Sequence, residues 1–449
     1  MKVNIIFLYT CVLFITASNT SFAQQESMLS QMNKSWQFNS INPAFFPEEK
    51  RVAVGLPSFG VDAFHSGTLS YNDFIKEVNG KKQVDFEQII SKLEPENNIS
   101  YRQRFETFSV GLRLPGAGKT AVSISHAIRL NSNTSYTKEM VQLFWGGNAQ
   151  FIGRTIQIAP VTRTFDWHEI GLNVSRSFGK FRVGARIKYL AGISSLITDT
   201  GAQKMEVTTS NDIYQLNLNT DYGVLSSGII SAIDTSGLGF NVTRNQLNNQ
   251  FSGANSGLAL DLGVVYAIND KLTIHASVLD LSGSIRWEAA NYFRTKANYD
   301  FEGVTLPGAD IINGADDLDF SAKVDTLNDI FRFSKTTVDY NTAIPTRYYA
   351  GARFEVTKRL ALAGSVFYET GFLEDKMAFS VSAHFQPIKL LNVGVLYAAN
   401  KNNVANIGAQ ITLSPGPVQF FIASDNLNGV LKPYGSSRVN FRTGLAFLM

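Results

Sequence analysis

A closed antiparallel β-barrel of about fourteen strands that crosses a membrane is the fold this sequence predicts: an all-β chain with short loop helices and an N-terminal plug-like segment. Three observations predict it. Residues 257–281, GLALDLGVVYAINDKLTIHASVLDL, alternate large apolar residues with small or polar ones on either side of an Asn269-Asp270 turn, which is the period of a strand. Such runs recur along the chain. They are about twice as long as the usual soluble strand of about 5–6 residues, and they suit a tilted membrane crossing of about 9–11 residues. The chain also opens with an export signal: Lys2, an apolar run from Ile5 to Ala17, and small residues Ser21 and Ala23 flanking Phe22.

Taken in order, residues 1–23 read as the signal peptide, with cleavage expected before Gln24. The single cysteine, Cys11, leaves with it. The exported chain then has no disulfide, no thiol nucleophile, no cysteine metal site and no lipoprotein anchor. No other apolar run reaches the roughly 18 residues of a membrane helix. Residues 24–50 form a plug or a periplasmic extension. They carry Met28, Leu29, Met32, Trp36, Phe38, Phe45 and Phe46, too apolar to hang in water. Asn42-Pro43-Ala44 is read as the turn into the first strand, and the charged run from Glu48 to Arg51 as pairing at the barrel mouth.

Residues 51–449 are the barrel. Its strands are expected near 51–71, 98–114, 118–131, 163–178, 180–197, 255–268, 271–287, 346–357, 359–372, 375–387, 389–400, 403–414, 416–424 and 437–449. The connections at 115–117, 179, 269–270, 358, 388 and 415 are short and fall on one side. Those at 72–97, 132–162, 198–254 and 288–345 are long and fall on the other, with brief outer turns near Glu374 and Asn402 as exceptions. An even strand number, with short turns on one side and long loops on the other, is the pattern of bacterial outer-membrane barrels. Apolar residues at helical spacing predict short loop helices over 86–93, 137–145 and 323–331.

Composition agrees. Charged residues make up 17% of the chain, below the ~25% of ordinary soluble proteins. With Lys2 removed from the 40 basic residues, 39 face 37 acidic ones, a net charge of +2. That balance gives no support for a nucleic-acid partner. A soluble β-sandwich would also alternate, but it needs neither such long strands nor an export signal.

Strand parity assigns the candidate functional residues. Arg113, Arg182, Arg186, Arg353, Arg438, Arg442 and Glu355 fall on the lumen side, as does Asp261. They form either a ladder of paired charges or a path that guides anions. Trp36, Phe38, Asn42 and Pro43 are the plug candidates. Gly184, Gly263, Gly351 and Gly444 also face inward and leave room there. His275 and His384 stand among inward serines, an arrangement a hydrolase could use and a polar network explains equally. His126 falls on the lipid face. No H-x-x-x-H or H-E-x-x-H pattern supports zinc. The acidic stretch 313–331 matches no calcium-loop spacing. No cofactor and no catalytic residue is predicted.

The stretches QQESMLSQMNKSWQFNSINPAFFPEEKRVAVGLPSFG, SGLALDLGVVYAINDKLTIHASVLDLSGSIRW and PVQFFIASDNLNGVL, with the terminal VNFRTGLAF, resemble a family of Bacteroidota outer-membrane barrels of unknown function. They are distantly similar to the PorP/SprF proteins of type IX secretion and to FadL-type transporters of hydrophobic substrates. A FadL-like likeness implies fourteen strands and an N-terminal segment tucked into the lumen. The last strand, RVNFRTGLAFLM, looks like the C-terminal strand that barrel-assembly machinery reads, though it ends in Met449 rather than an aromatic residue. The expected function is passage of a small molecule, with hydrophobic ones as candidates. The alternative is a structural or partner-binding component of a cell-envelope or type IX secretion machine. Expected partners are outer-membrane lipid, the assembly machinery, and a small-molecule ligand or an envelope protein.

Overall fold

The computed structural model describes residues 26–47, 49–78, 81–116, 119–211, 215–228, 253–302, 333–371, 375–399 and 406–449. Its first strand, β1, comes in two pieces, Val52–Gly55 and Ser58–His65. It is followed by β2 (Glu96–Arg113), β3 (Thr120–Thr137), β4 (Val161–Phe178), β5 (Phe181–Thr209), β6 (Ser256–Ala267) and β7 (Leu272–Glu302). The second half holds β8 (Arg347–Glu355), β9 (Leu360–Glu369), β10 (Lys376–Ile388), β11 (Leu391–Ala399), β12 (Asn406–Leu413), β13 (Val418–Ser424) and β14 (Arg438–Leu448). Sequential neighbours pair antiparallel throughout, and β14 pairs back onto both pieces of β1. The fourteen strands therefore form a closed antiparallel barrel, as the sequence predicts. Closure leaves no unpaired backbone edge, which lipid would not tolerate.

Side chains sort as parity requires. Outward positions are aliphatic and exposed, among them Leu172, Ile187, Leu258, Val381, Val395 and Ile411. Aromatic residues flank them. Phe178, Phe181, Phe354 and Phe385 lie toward the short turns, with Phe181 stacked on Tyr266 at 4.2 Å. Tyr348, Tyr368 and Tyr397 lie toward the other end, the first two 5.7 Å apart. An apolar band between aromatic girdles is the surface of an outer-membrane barrel.

Three expectations are corrected. The first strand is not continuous over 51–71: Pro57 cannot donate to the ladder and splits it, and it ends at His65, before a turn in which Gly67 has φ 75°. β5 and β7 do not stop at 197 and 287 but run on to Thr209 and Glu302, 29 and 31 residues long. The long connections 198–254 and 288–345 are accordingly not loops throughout. Strand Gln215–Gly228 pairs with both β5 and β7, and strand Ser334–Ala343 pairs with β7. This extension of the barrel sheet rises past the apolar band, so its outer face is polar and the lipid signal fades. Two of the predicted loop helices lie among the described residues, α1 (Phe86–Lys92) and α2 (Lys138–Gly146), with Asp85 and Thr137 capping their first turns. A short helix that the sequence reading does not predict, Leu427–Leu431, lies between β13 and β14. The predicted signal peptide, Glu48, the turns expected near Glu374 and Asn402, and the acidic stretch 313–331 with the helix predicted over 323–331 lie outside the described residues.

Leu262 and Asp261 test the two faces. Leu262 is outward and exposed. Leu262→Arg is expected to block assembly, because an arginine facing the bilayer midplane costs about 2–4 kcal/mol. Parity alone would make Asp261→Asn harmless. Asp261 is fully buried, however: it accepts the Asp280 backbone N–H at 2.8 Å and lies 2.8 Å from Lys188 and 3.3 Å from Arg186. The expected outcome is assembly with a lowered unfolding temperature, read by heat-modifiable gel migration. Equal behaviour of the two variants would contradict the assignment of faces.

Candidate functional site in the barrel lumen

Residues 26–47 lie inside the barrel. Two short 3-10 turns, Leu29–Gln31 and Trp36–Ser40, shape them. Asn39 Nδ2 ties back to the Phe45 carbonyl at 2.7 Å, and Asn42 Oδ1 accepts the Ala44 N–H at 2.9 Å, a local turn that asparagine favours. Such a short segment has no core of its own, so its apolar side chains use the barrel wall. Met28, Leu29, Met32, Phe38, Ile41 and Phe45 pack with inward residues that include Leu279, Tyr349, Phe367, Leu396 and Phe421. Trp36 and Phe46 pack against Ala53, Ala121 and Ala446. Burial of this kind contributes roughly 25 cal/mol per Å² of apolar surface.

The inward glycines have a specific reason. Gly184 and Gly263 face each other across β5 and β6. A Cβ on Gly184 would sit 2.3 Å from the Pro43 carbonyl oxygen, and one on Gly263 would sit 2.2 Å from Asn42 Oδ1. The Asn42-Pro43-Ala44 turn is pressed onto this bare patch of wall, and Asn42 Nδ2 bonds the carbonyls of Val264 and Ala276, each at 3.2 Å. The turn therefore does not lead directly into the first strand, as the sequence suggested. It rests on β5 and β6, and the chain then passes Phe46 to reach Val52.

The predicted lumen residues divide into distinct groups. Arg113 donates to the carbonyls of Pro47 (2.7 Å) and Lys50 (3.2 Å), and stacks on Phe46. Arg182 donates to the Phe46 carbonyl at 3.3 Å. Arg186 holds both oxygens of Asn39, at 2.7 and 2.6 Å. Arg442 meets Glu26 at 3.0 Å, whereas Arg438 binds Asp62 with two bonds. Arg353 pairs with Glu355 at 2.8 Å near the short-turn rim, where Glu355 is half-buried. Of the plug candidates, Trp36 donates its indole N–H to Ser109 at 2.8 Å, Phe38 meets His275 edge-on at 5.3 Å, and Asn42 and Pro43 hold the turn just described.

A buried charge network lies beyond the tip of this segment, and parity alone missed most of it. Lys188 Nζ lies 2.7 Å from Asp280, 2.8 Å from Asp261 and 3.6 Å from Glu169. Arg129 bridges Glu169 (2.8 Å) and Asp280 (3.0 Å), and Arg347 bridges Asp280 (2.8 Å) and Glu26 (2.9 Å). Arg104 joins Glu169 at 2.9 Å, and Arg102 grips Glu369 with two bonds of 2.7 and 3.0 Å. Glu26, which also accepts the Tyr349 hydroxyl at 2.8 Å, couples the segment to this network. The cavity among Glu26, Asp62, Arg102, Arg129, Arg347 and Glu369 measures about 30 Å³, room for about one water.

The inward serines and histidines serve the same packing. Gln31 Nε2 reaches Ser365 (2.9 Å) and Ser380 (2.6 Å), while Ser382 donates to Gln31 Oε1 and touches His384 Nε2 at 2.8 Å. Ser277 donates to the Ile41 carbonyl at 2.7 Å. These hydroxyls are committed to residues 30–41, which accounts for the Ser–His proximity as a polar network. His126 bonds Thr107 and, at 3.1 Å, His168. Among the described residues no group of three or more His, Cys, Asp or Glu could hold a metal ion.

Fold and site together define a fourteen-stranded antiparallel barrel whose lumen is occupied by the chain's own N-terminal segment. The chain belongs to the family of unknown function DUF5723, whose model matches residues 43–425. A comparison with curated proteins finds no match. Solved structures similar to the chain include the Pseudomonas putida toluene transporter TodX, at 9% identity over 96% of this chain and 94% of that one, with a TM-score of 0.39. They also include a Pseudomonas aeruginosa FadL homologue, at 12% identity over 90% of each chain and a TM-score of 0.40. A third is the Ralstonia pickettii toluene transporter TbuX, at 11% identity over 92% and 94%, with a TM-score of 0.34.

Proposed function

We propose that the protein sits in a bacterial outer membrane and passes a small apolar molecule, with residues 24–50 closing the lumen at rest. One observation carries this reading: the segment is buried like a core yet held only by reversible contacts. Arginines grip its backbone carbonyls, serines grip Gln31 and Ile41, and the segment meets the charge network at two points, Glu26 on Arg347 and Asn39 through Arg186, which pairs with Asp261. The wall it covers is apolar, with Leu279, Tyr349, Phe367, Leu396 and Phe421. When the segment moves, a greasy surface is uncovered, which favours an apolar solute over an ion.

A second reading has its own support. The paired charges beyond Glu26 rigidify the lumen, and the sheet extended by β5 and β7 presents a broad polar surface beyond the membrane band. Both features suit a structural, partner-binding barrel. The experiment that separates the two is reconstitution of the chain with and without residues 24–47. The first reading expects the shortened barrel, still heat-modifiable, to conduct and to admit small solutes continuously, where the full chain opens only briefly, when the segment moves. A shortened barrel that folds and stays closed would move the assignment to the structural role.

A further inference from the structure

The seam between the N-terminal segment and the barrel wall leaves a cavity of about 370 Å³ at the short-turn end. Its lining is cationic. Lys34 and Lys50 come from the segment, and Arg353 and Lys389 from the wall; among the described residues the lining holds one carboxylate, Glu49, with Glu355 close by on Arg353. Amides and hydroxyls, Gln410 and Thr412 among them, fill the rest of the lining.

Arg353 is the informative residue. It is 6% exposed, and its Nε is spent on Glu355 at 2.8 Å. Its two terminal nitrogens make no hydrogen bond among the described residues, and the side chain lines the cavity. The other lumen arginines differ: Arg113, Arg182, Arg186, Arg438 and Arg442 all use terminal nitrogens on carbonyls or carboxylates. A buried guanidinium with a free planar fork matches the two oxygens of a phosphate or carboxylate. Lys34 stands ready at the same cavity, bonded only to the neutral Gln386 at 3.2 Å, and Lys50 only to the Leu448 carbonyl at 3.1 Å.

We infer that this seam is a binding site for an anionic phosphate group, held between Arg353 of the wall and Lys34 of the N-terminal segment. The group bridges the two parts and so holds the segment in its seat. Binding needs only this geometry and does not depend on passage through the barrel. Two sources share the chemistry: a free phosphate compound from the periplasm, and the headgroup of an anionic phospholipid at the rim.

The test has two arms. In the first, the full chain in maltoside micelles is titrated calorimetrically with inorganic phosphate. Saturable binding is expected, weakened at least tenfold in Arg353→Gln and several-fold in Lys34→Gln. It should be unchanged in Arg286→Gln, whose side chain is exposed in the outer part of the sheet. In the second arm, the unfolding temperature is compared in phosphatidylcholine vesicles with and without phosphatidylglycerol. A rise with phosphatidylglycerol that Arg353→Gln abolishes assigns the lipid headgroup; phosphate binding without that rise assigns the free compound. Heat-modifiable migration checks each variant, and Lys34→Gln carries the test if Arg353→Gln does not fold. Wild type that responds in neither arm, or a folded variant that responds like wild type in both, overturns the site.

Discussion

Lys188→Met is expected to destabilise the barrel by about 3–5 kcal/mol, read as a large fall in the temperature at which the compact gel form is lost. Lys188 is 1% exposed and lies within 3.6 Å of three carboxylates, Asp261, Asp280 and Glu169. Methionine fills much of the same volume, so packing survives while the charge disappears. What remains is a cluster of buried carboxylates with one fewer cation, and desolvation makes each costly. Lys296→Met is the comparison. Lys296 also pairs, with Asp221 at 3.1 Å, but its side chain is 71% exposed. An exposed pair is worth about 0–1 kcal/mol, so this variant should melt near wild type. If both variants behave alike, the lumen network is not the buried structure described.

Gly184→Val together with Gly263→Val is expected to unseat the N-terminal segment without harming the barrel. Valine suits a strand, so the wall itself has no reason to object. The new side chains would enter space held by the backbone of Pro43 and Ala44 and by Asn42, and backbone cannot rotate out of the way. The readout is Ser30→Cys, a position 1% exposed in the intact fold. A maleimide should leave this cysteine untouched in the otherwise native barrel and label it in the double-valine background. Protection in both would show that the segment does not rest on this patch.

The strands were legible because lipid imposes a strict rule. Every second residue across the band must be apolar, and Leu258, Leu262, Val381 and Ile411 obey it. Where that rule lapses, the reading lapsed too. Beyond the band, Met205, Val207 and Thr209 still alternate with Lys204, Glu206 and Thr208, but water bathes the polar face and the pattern looks like loop. The plug candidates were legible for the opposite reason: a segment rich in Trp and Phe must be buried somewhere.

Much of the charge network was hidden by bulges. Counting back from Val110 and Phe108 puts Arg104 and Arg102 on the lipid face. A register shift between Glu106 and Phe108 resets the count and turns both inward. In β7, Leu279 and Asp280 both point inward because of an irregularity there, with Asp280 at φ 60°. Glu26 lies outside any periodic pattern, so nothing in the sequence singled it out. Arg129, Glu169 and Lys188 were within reach of parity, but their partners Asp280 and Arg104 were not.

The most direct test of the central claim is a reversible lock on the N-terminal segment. Ser30 and Ser365 hydroxyls lie 3.2 Å apart, close enough for a Ser30→Cys, Ser365→Cys pair to form a disulfide after a small shift. The only native cysteine is Cys11, in the predicted leader, so no other thiol competes. Single-channel openings and solute uptake are then measured on the same preparation before and after reduction. The account predicts a silent barrel when oxidised and recovery of openings and uptake to the wild-type level when reduced. Passage that is equal in the two states would contradict it, because the segment would then have no part in closing the lumen.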